Sequence, residues 1–167
     1  MRRRTTSLIA SENGAAAVEM ALVTPLLLTL MFGSFELGNY FMDNHVVAKA
    51  VRDGARYASR QGFSNMPCGG TATNETQIKT LVRTGSLTGV TPKLPGWTNP
   101  DTTIFVTITC NTGNSYSDKG IYSGMTGGAP VVTVTAAVPY NSLFGAVGFN
   151  ATNLTINARS QAPVMGI

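Results

Sequence analysis

The stretch that decides the fold lies at residues 13–35 and reads NGAAAVEMALVTPLLLTLMFGSF. From Ala15 to Phe35 its only ionisable side chain is that of Glu19. At about 1.5 Å of rise per residue, a helix over these positions spans about 30 Å, which is the thickness of the hydrocarbon core of a bilayer. The stretch therefore predicts a transmembrane helix at 15–35 with one carboxylate close to its start.

Basic residues flank this stretch on one side only. Three arginines, Arg2 to Arg4, precede it, and no comparable cluster follows it immediately. Since positively charged flanks stay on the cytoplasmic side of a membrane, we expect a cytoplasmic leader at 1–14 and a chain that continues outward. A cleaved secretory signal is the competing interpretation, but the residues from Ser34 to Tyr40 are bulky and offer no small-residue cleavage site.

The composition leaves room for one head domain after the helix. The chain has 167 residues, of which 12 % are charged, and its formal net charge is +4. Much of the basic excess sits in the N-terminal arginines, so the folded part lacks the basic face with interleaved aromatic residues that binds nucleic acid. We expect no nucleic-acid partner.

The helical pattern continues beyond the apolar stretch. Apolar and charged side chains alternate there with helical spacing, so that Val47, Val51, Ala55 and Ala58 share one face and Lys49, Arg52, Asp53, Arg56 and Arg60 lie opposite. Gln61 and Gly62 then supply a stop signal, because glycine readily takes the left-handed conformation that ends helices. We predict one helix over 15–61, with its charged side in solvent.

The remaining residues, 62–167, predict a small α+β head. Residues 73–84 have the spacing of a short amphipathic helix that Gly85 would end, whereas 86–100 and 111–130 are typical of loops. Alternating β-branched residues predict strands at 104–109, 131–138 and 152–160. A small antiparallel sheet with one apolar face must be covered, and the apolar side of the long helix is the obvious cover.

Two cysteines, Cys68 and Cys110, both fall in the predicted head, outside the cytoplasm, where oxidation is permitted. A disulfide between them and two free thiols are the alternatives. With the lone His45 they do not form a convincing metal-ligand set, and a Ser-His-Asp triad would have to use the same histidine. We expect no metal, no cofactor and no catalytic residues, so the chain is not predicted to be an enzyme.

The carboxylate of Glu19 needs a partner or a proton, because an unpaired charge inside a membrane costs a few kcal/mol even on lenient insertion scales. If the chain were cut between Gly14 and Ala15, the new α-amino group of Ala15 would be a cation at the depth of Glu19 on a neighbouring helix. Cleavage and the buried acid would then explain each other.

These residues carry a resemblance to a known family. The segment from Gly14 to Met20, GAAAVEM, resembles the processing site of type IV prepilins, and specifically of the TadE-like minor pilins, or pseudopilins, of tight-adherence (Flp-type) pili. Further similarity lies at 21–28, 36–38 and 53–58, so that it covers about residues 14–60. The chain departs from the pattern at Met20, where an aromatic residue is commoner in this group.

The resemblance implies a pilin-like fold, cleavage by a prepilin peptidase after Gly14, and a role for Glu19 in subunit assembly. It also implies a minor pilin in the bacterial inner membrane, and later in the pilus at the cell surface, that helps to initiate, assemble or cap the filament. The implied partners are other pilin subunits, the peptidase, the pilus ATPase and the assembly platform. The alternative is an uncleaved, membrane-anchored module that binds or adheres outside the cytoplasm.

Overall fold

The first element is a single long helix. The computed structural model describes residues 12–112, 119–125, 127–145, 148 and 154–167, with side chains described from residue 14 onwards. Helix α1 runs from Glu12 to Ser59 and contains Pro25. It ends two residues before the predicted boundary, while most of the predicted leader, 1–11, lies outside the described residues. The chain divides into two units, 1–38 and 39–167, and each is considered by itself.

The first unit consists of the N-terminal part of α1. Its hydroxyl groups are satisfied within the helix, since Oγ1 of Thr24 donates to the carbonyl oxygen of Met20 at 2.6 Å and Oγ1 of Thr29 to that of Pro25 at 2.8 Å. Ser34 donates in the same way to Leu30. Such bonds matter in lipid, where no water is present to take the donor.

The second unit begins with the amphipathic part of α1, and here the predicted faces are confirmed. The apolar side chains of Val47, Val51, Ala55 and Ala58 are fully or almost fully buried. The charged side chains of Lys49, Arg52, Asp53, Arg56 and Arg60 are all exposed. The helix therefore supplies one face of the hydrophobic core of the head.

Three antiparallel strands form the sheet of the head. They are β1 (Ile104–Asn111), β2 (Ala129–Pro139) and β3 (Thr155–Pro163), in the order β1-β2-β3. The register places Val106 opposite Val134, and Val134 opposite Ser160, so that alternate residues of all three strands share one face. That face joins the core, which confirms the α+β class and the small antiparallel sheet. The predicted start of the third strand, 152–153, lies outside the described residues.

Besides the 3-10 turns at Phe63–Asn65 and Gly120–Tyr122, the described head contains two short α-helices. Helix α2 (Glu75–Thr84) ends at Gly85, whose φ of 84° is the left-handed conformation expected of a helix-ending glycine. Helix α3 (Pro100–Thr103) was not predicted, because four residues are too few for a periodic pattern. Between them the chain has no helix or strand, but it is anchored by Trp97, which is fully buried and donates its indole N–H to Oγ1 of Thr103 at 3.0 Å.

Candidate assembly surface

The candidate site is the N-terminal part of α1, around Gly14, Ala15 and Glu19. All three residues lie within one continuous helix and are exposed. Glu19 follows Ala15 by four positions, so its side chain projects from the same side of the helix as Ala15, one turn further on. In the uncut chain the nitrogen of Ala15 is a helical amide, and it becomes a charged amine only if the bond after Gly14 is broken.

The surface around this site is almost entirely apolar. Val18 is 61 % exposed, Leu22 is 74 % and Leu26 is 61 %, although these side chains would be in the core of a soluble protein. The apolar helix is long enough to cross a membrane. Surface of this kind is stable only when lipid or other apolar helices cover it, because every exposed Å² of apolar surface costs about 25 cal/mol in water.

The charge of Glu19 gives this apolar surface its one specific feature. The carboxylate is the only ionisable group between Ala15 and Phe35, and it is exposed to whatever surrounds the helix. In a medium of low dielectric constant an opposite charge at contact distance attracts it far more strongly than in water. A neighbouring chain that brings an amine to this position would therefore be fixed in register.

Residues 39–59 of α1 are held in the head by close packing that sequence reasoning missed. A β-carbon added to Gly54 would collide with a γ-methyl of Val82 in α2 and would also contact Val134 of β2. Glycine is the residue that allows this close approach of α1 to α2. The sequence signal that could have found it is a glycine inside an otherwise amphipathic helical pattern.

Aromatic and amide groups connect the first residues of the second unit, 39–167, to the end of β2. The rings of Tyr40 and Tyr140 meet edge to face, with centroids 5.3 Å apart. Asn39 donates from Nδ2 to the phenolic oxygen of Tyr140 at 3.1 Å. The hydrogen bond bridges 101 positions of sequence and the ring contact one fewer, so no local pattern could have predicted them.

The two cysteines of the head are joined. Cys68, in the segment after α1, forms a disulfide with Cys110 near the end of β1, and their α-carbons are 5.5 Å apart. The bond ties the chain between α1 and α2 to the sheet. The sequence left open either a disulfide or two free thiols, and the structure contains the disulfide.

A second tie in the head is electrostatic. Nζ of Lys79 lies 2.8 Å from Oε1 of Glu75 within α2 and 3.2 Å from Oδ1 of Asp101 in α3. Burial alone would lower the pKa of Lys79, but the hydrogen bonds and charges of the two carboxylates outweigh it and raise the pKa above its ordinary value of 10.5. The lysine therefore stays charged at neutral pH and links the two helices.

No group of three or more His, Cys, Asp or Glu side chains that could hold a metal ion is present in the part of the chain that the structure describes. His45 is exposed on α1. The structure does not bring it together with the cysteines, which are bonded to each other.

Comparison with known families supports the N-terminal resemblance. The family model described as TadE-like protein matches residues 14–56, which run from the proposed cleavage site to the last turn of α1. The match confirms the resemblance to TadE-like proteins over this part of the chain, which includes the apolar helix that is long enough to cross a membrane. Neither a search of curated proteins nor a search of solved structures found a match.

Proposed function

We propose that this chain is a minor pilin, or pseudopilin, that a prepilin peptidase cuts between Gly14 and Ala15. The observation that carries the proposal is the exposed apolar helix with a single carboxylate one turn after the bond to be cut. The match of the TadE-like family from residue 14 onwards supports it. The mature protein would help to initiate, assemble or cap a tight-adherence pilus.

Cleavage would change the electrostatics of the helix end. The new α-amino group of Ala15 is charged near neutral pH, since its ordinary pKa is about 8. It adds to the positive end of the helix dipole, which favours a neighbouring anion. In the same way the carboxylate of Glu19 would pair with the terminal amine of the adjoining pilin subunit, and pairing removes the cost of keeping either charge alone in an apolar medium.

Apolar packing would provide most of the attraction between subunits, while the charge pair would set their register. The exposed side chains of α1 gain little by leaving lipid for another helix, because lipid is equally apolar. Outside the membrane the alternative to helix packing is exposure to water, so in a filament these side chains are stabilised by covering one another. The pilus ATPase and the assembly platform would drive that extraction, and other pilin subunits would receive it.

The first experiment tests the cleavage. Intact-mass spectrometry of protein isolated from the membrane and from sheared pili should give a chain that begins at Ala15. Leader-bearing protein in functional pili would overturn the proposal and favour an uncleaved, membrane-anchored binding module.

The second experiment tests Glu19. In Glu19→Ala, membrane insertion should be unchanged or improved, because a costly charge is gone, while incorporation into pili should fall by about tenfold or more, which corresponds to about 1.4 kcal/mol. Immunoblots of the membrane and sheared-pilus fractions measure both quantities. Glu12→Ala is the matched control, because it removes a carboxylate that leaves with the leader. Normal incorporation of the Glu19 variant would contradict the assigned role.

A further inference from the structure

The basic face of α1 in the head has no partner among the residues that the structure describes. It consists of Lys49, Arg52 and Arg56 on the helix and Arg60 in the turn that follows. At 3.6 residues per turn these four side chains fall within a sector about 80° wide and extend over about 16 Å of helix. Asp53, at the edge of this sector, is the one exposed carboxylate of α1 within residues 39–59.

None of the four basic side chains forms a hydrogen bond or an ion pair with a described residue. By contrast, Lys79 is held by two carboxylates at 2.8 and 3.2 Å. The opposite side of the same helix turns is buried in the core, since Val47, Ala50 and Val51 are 0 % exposed. The basic face is thus presented by a packed helix and pairs with none of the described residues of the head.

Membrane anchoring restricts which partner this face can meet. Two copies of the chain inserted by the same helix are related by an axis along the membrane normal, so each residue lies at the height of its counterpart. Their basic faces would then lie side by side and repel each other. A copy shifted along the axis offers little more, because this segment of α1 carries only two acids, the half-buried Asp43 and the exposed Asp53.

We infer that the basic face of α1 docks a different membrane-anchored subunit whose own helix carries an acidic face. Charge complementarity selects that partner, and like-charge repulsion selects against a second copy of this chain. The inference deepens the proposed assembly role and rests on it for the partner being another subunit. It predicts that the chain enters assemblies singly, beside other subunits, and not as homodimers.

A charge-reversed copy of the chain serves as a defined probe. In this copy Lys49, Arg52, Arg56 and Arg60 are changed to Glu and Asp53 to Lys. Full-length wild type with one affinity tag is co-expressed with the reversed copy carrying another tag, and both are purified in a neutral detergent. We expect about tenfold more of the mixed pair than of the wild-type pair to co-purify, because several exposed ion pairs together can stabilise the mixed pair by that factor. The excess should disappear in 1 M salt, which screens charges beyond about 3 Å.

Two controls keep the result interpretable. A copy with Lys93, Lys119 and Arg159 changed to Glu reverses exposed or half-exposed charges elsewhere in the head and should co-purify no better than wild type. A copy with the four basic residues changed to Gln keeps the helix and removes the repulsion, so its self-association should exceed that of wild type.

Equal recovery of the mixed and wild-type pairs, or wild-type dimers that the Gln changes weaken, would overturn the inference. So would a gain that appears only in micelles doped with anionic lipid, since the face would then bind headgroups. Leader cleavage plays no part in this measurement, and failure here would leave the roles of Gly14 and Glu19 untouched.

Discussion

Single residues decide how tightly the head holds the long helix. Gly54 is the clearest case, because it sits in the middle of α1, where glycine costs up to about 1 kcal/mol relative to alanine. The structure shows what offsets this cost, since the absent β-carbon is the space that a methyl group of Val82 fills. Packing outweighs helix propensity at this position.

Gly54→Ala should therefore destabilise the head despite its better helix propensity. We expect a loss of about 1–3 kcal/mol in the free energy of unfolding, because the new methyl group overlaps a branched side chain that cannot swing away. Chemical denaturation of the full chain in detergent, followed by circular dichroism, measures it. Gly38→Ala is the control, since nothing lies within 4 Å of a β-carbon there, and it should cost nothing.

A double variant tests the assigned cause. Adding Val82→Ala to Gly54→Ala makes room for the methyl group, so the two losses should be clearly less than additive. Strict additivity would show that the collision with Val82 is not the reason for the glycine.

At the scale of elements, the links between helices depend on a few polar ties. Helix α3 is only four residues long and contributes no buried residue, so it depends on its neighbours for its position. Lys79 ties it to α2 through Asp101, and Oδ1 of Asn99 caps it by accepting from the amide of Asp101 at 2.9 Å. Such a short helix would not be stable without these bonds.

Lys79→Met should weaken this connection by about 1 kcal/mol at neutral pH, since the pairs are partly exposed. The raised pKa of Lys79 sets the pH dependence. Its contribution is fully present below the ordinary value of 10.5 and is lost as the pH rises through the higher folded-state value. The difference in unfolding free energy between wild type and variant should therefore be constant from pH 7 to 9 and shrink above about 10.5. A difference that stays the same at high pH would exclude the ion pairs as its source.

The elements themselves were largely predictable, and the reason is physical. Helix α1 and strands β1 and β2 are each buried on one side, so apolar residues recur along their sequences at the helical or strand spacing. The side-chain contacts between elements produce no such repeat in the sequence. Lys79 and Asp101 are 22 positions apart, and Asn39 and Tyr140 are 101 apart, so only the folded chain brings them together. For the same reason local spacing was enough to propose Gly14, Ala15 and Glu19 as site residues, which stays a prediction, whereas the close packing at Gly54 left no such pattern.

For the head as a whole, the disulfide is the largest single constraint on the unfolded chain. It closes a loop across 42 positions, for which the chain-entropy treatment gives about 4 kcal/mol. Replacing Cys68 and Cys110 together by Ser should lower the free energy of unfolding by about this amount, measured by denaturation of the full chain in detergent. Wild type under reducing conditions should match the variant. A loss below about 1 kcal/mol would mean that the unfolded chain is not restrained in this way.

The long separation between α1 and the strands it covers also sets the order of events during synthesis. Val47 and Val51 emerge early, but Val134 and Ile156, which share their core, follow about a hundred residues later. Contacts between such distant segments form slowly, because a large loop must close before they bring any gain. Until β3 is synthesised, the apolar face of α1 in the nascent chain stays exposed, and holdase chaperones can bind it. The apolar face of α1 is therefore covered only after β3 has been synthesised. Chains that end before Thr155 would keep this face exposed and would be open to proteolysis.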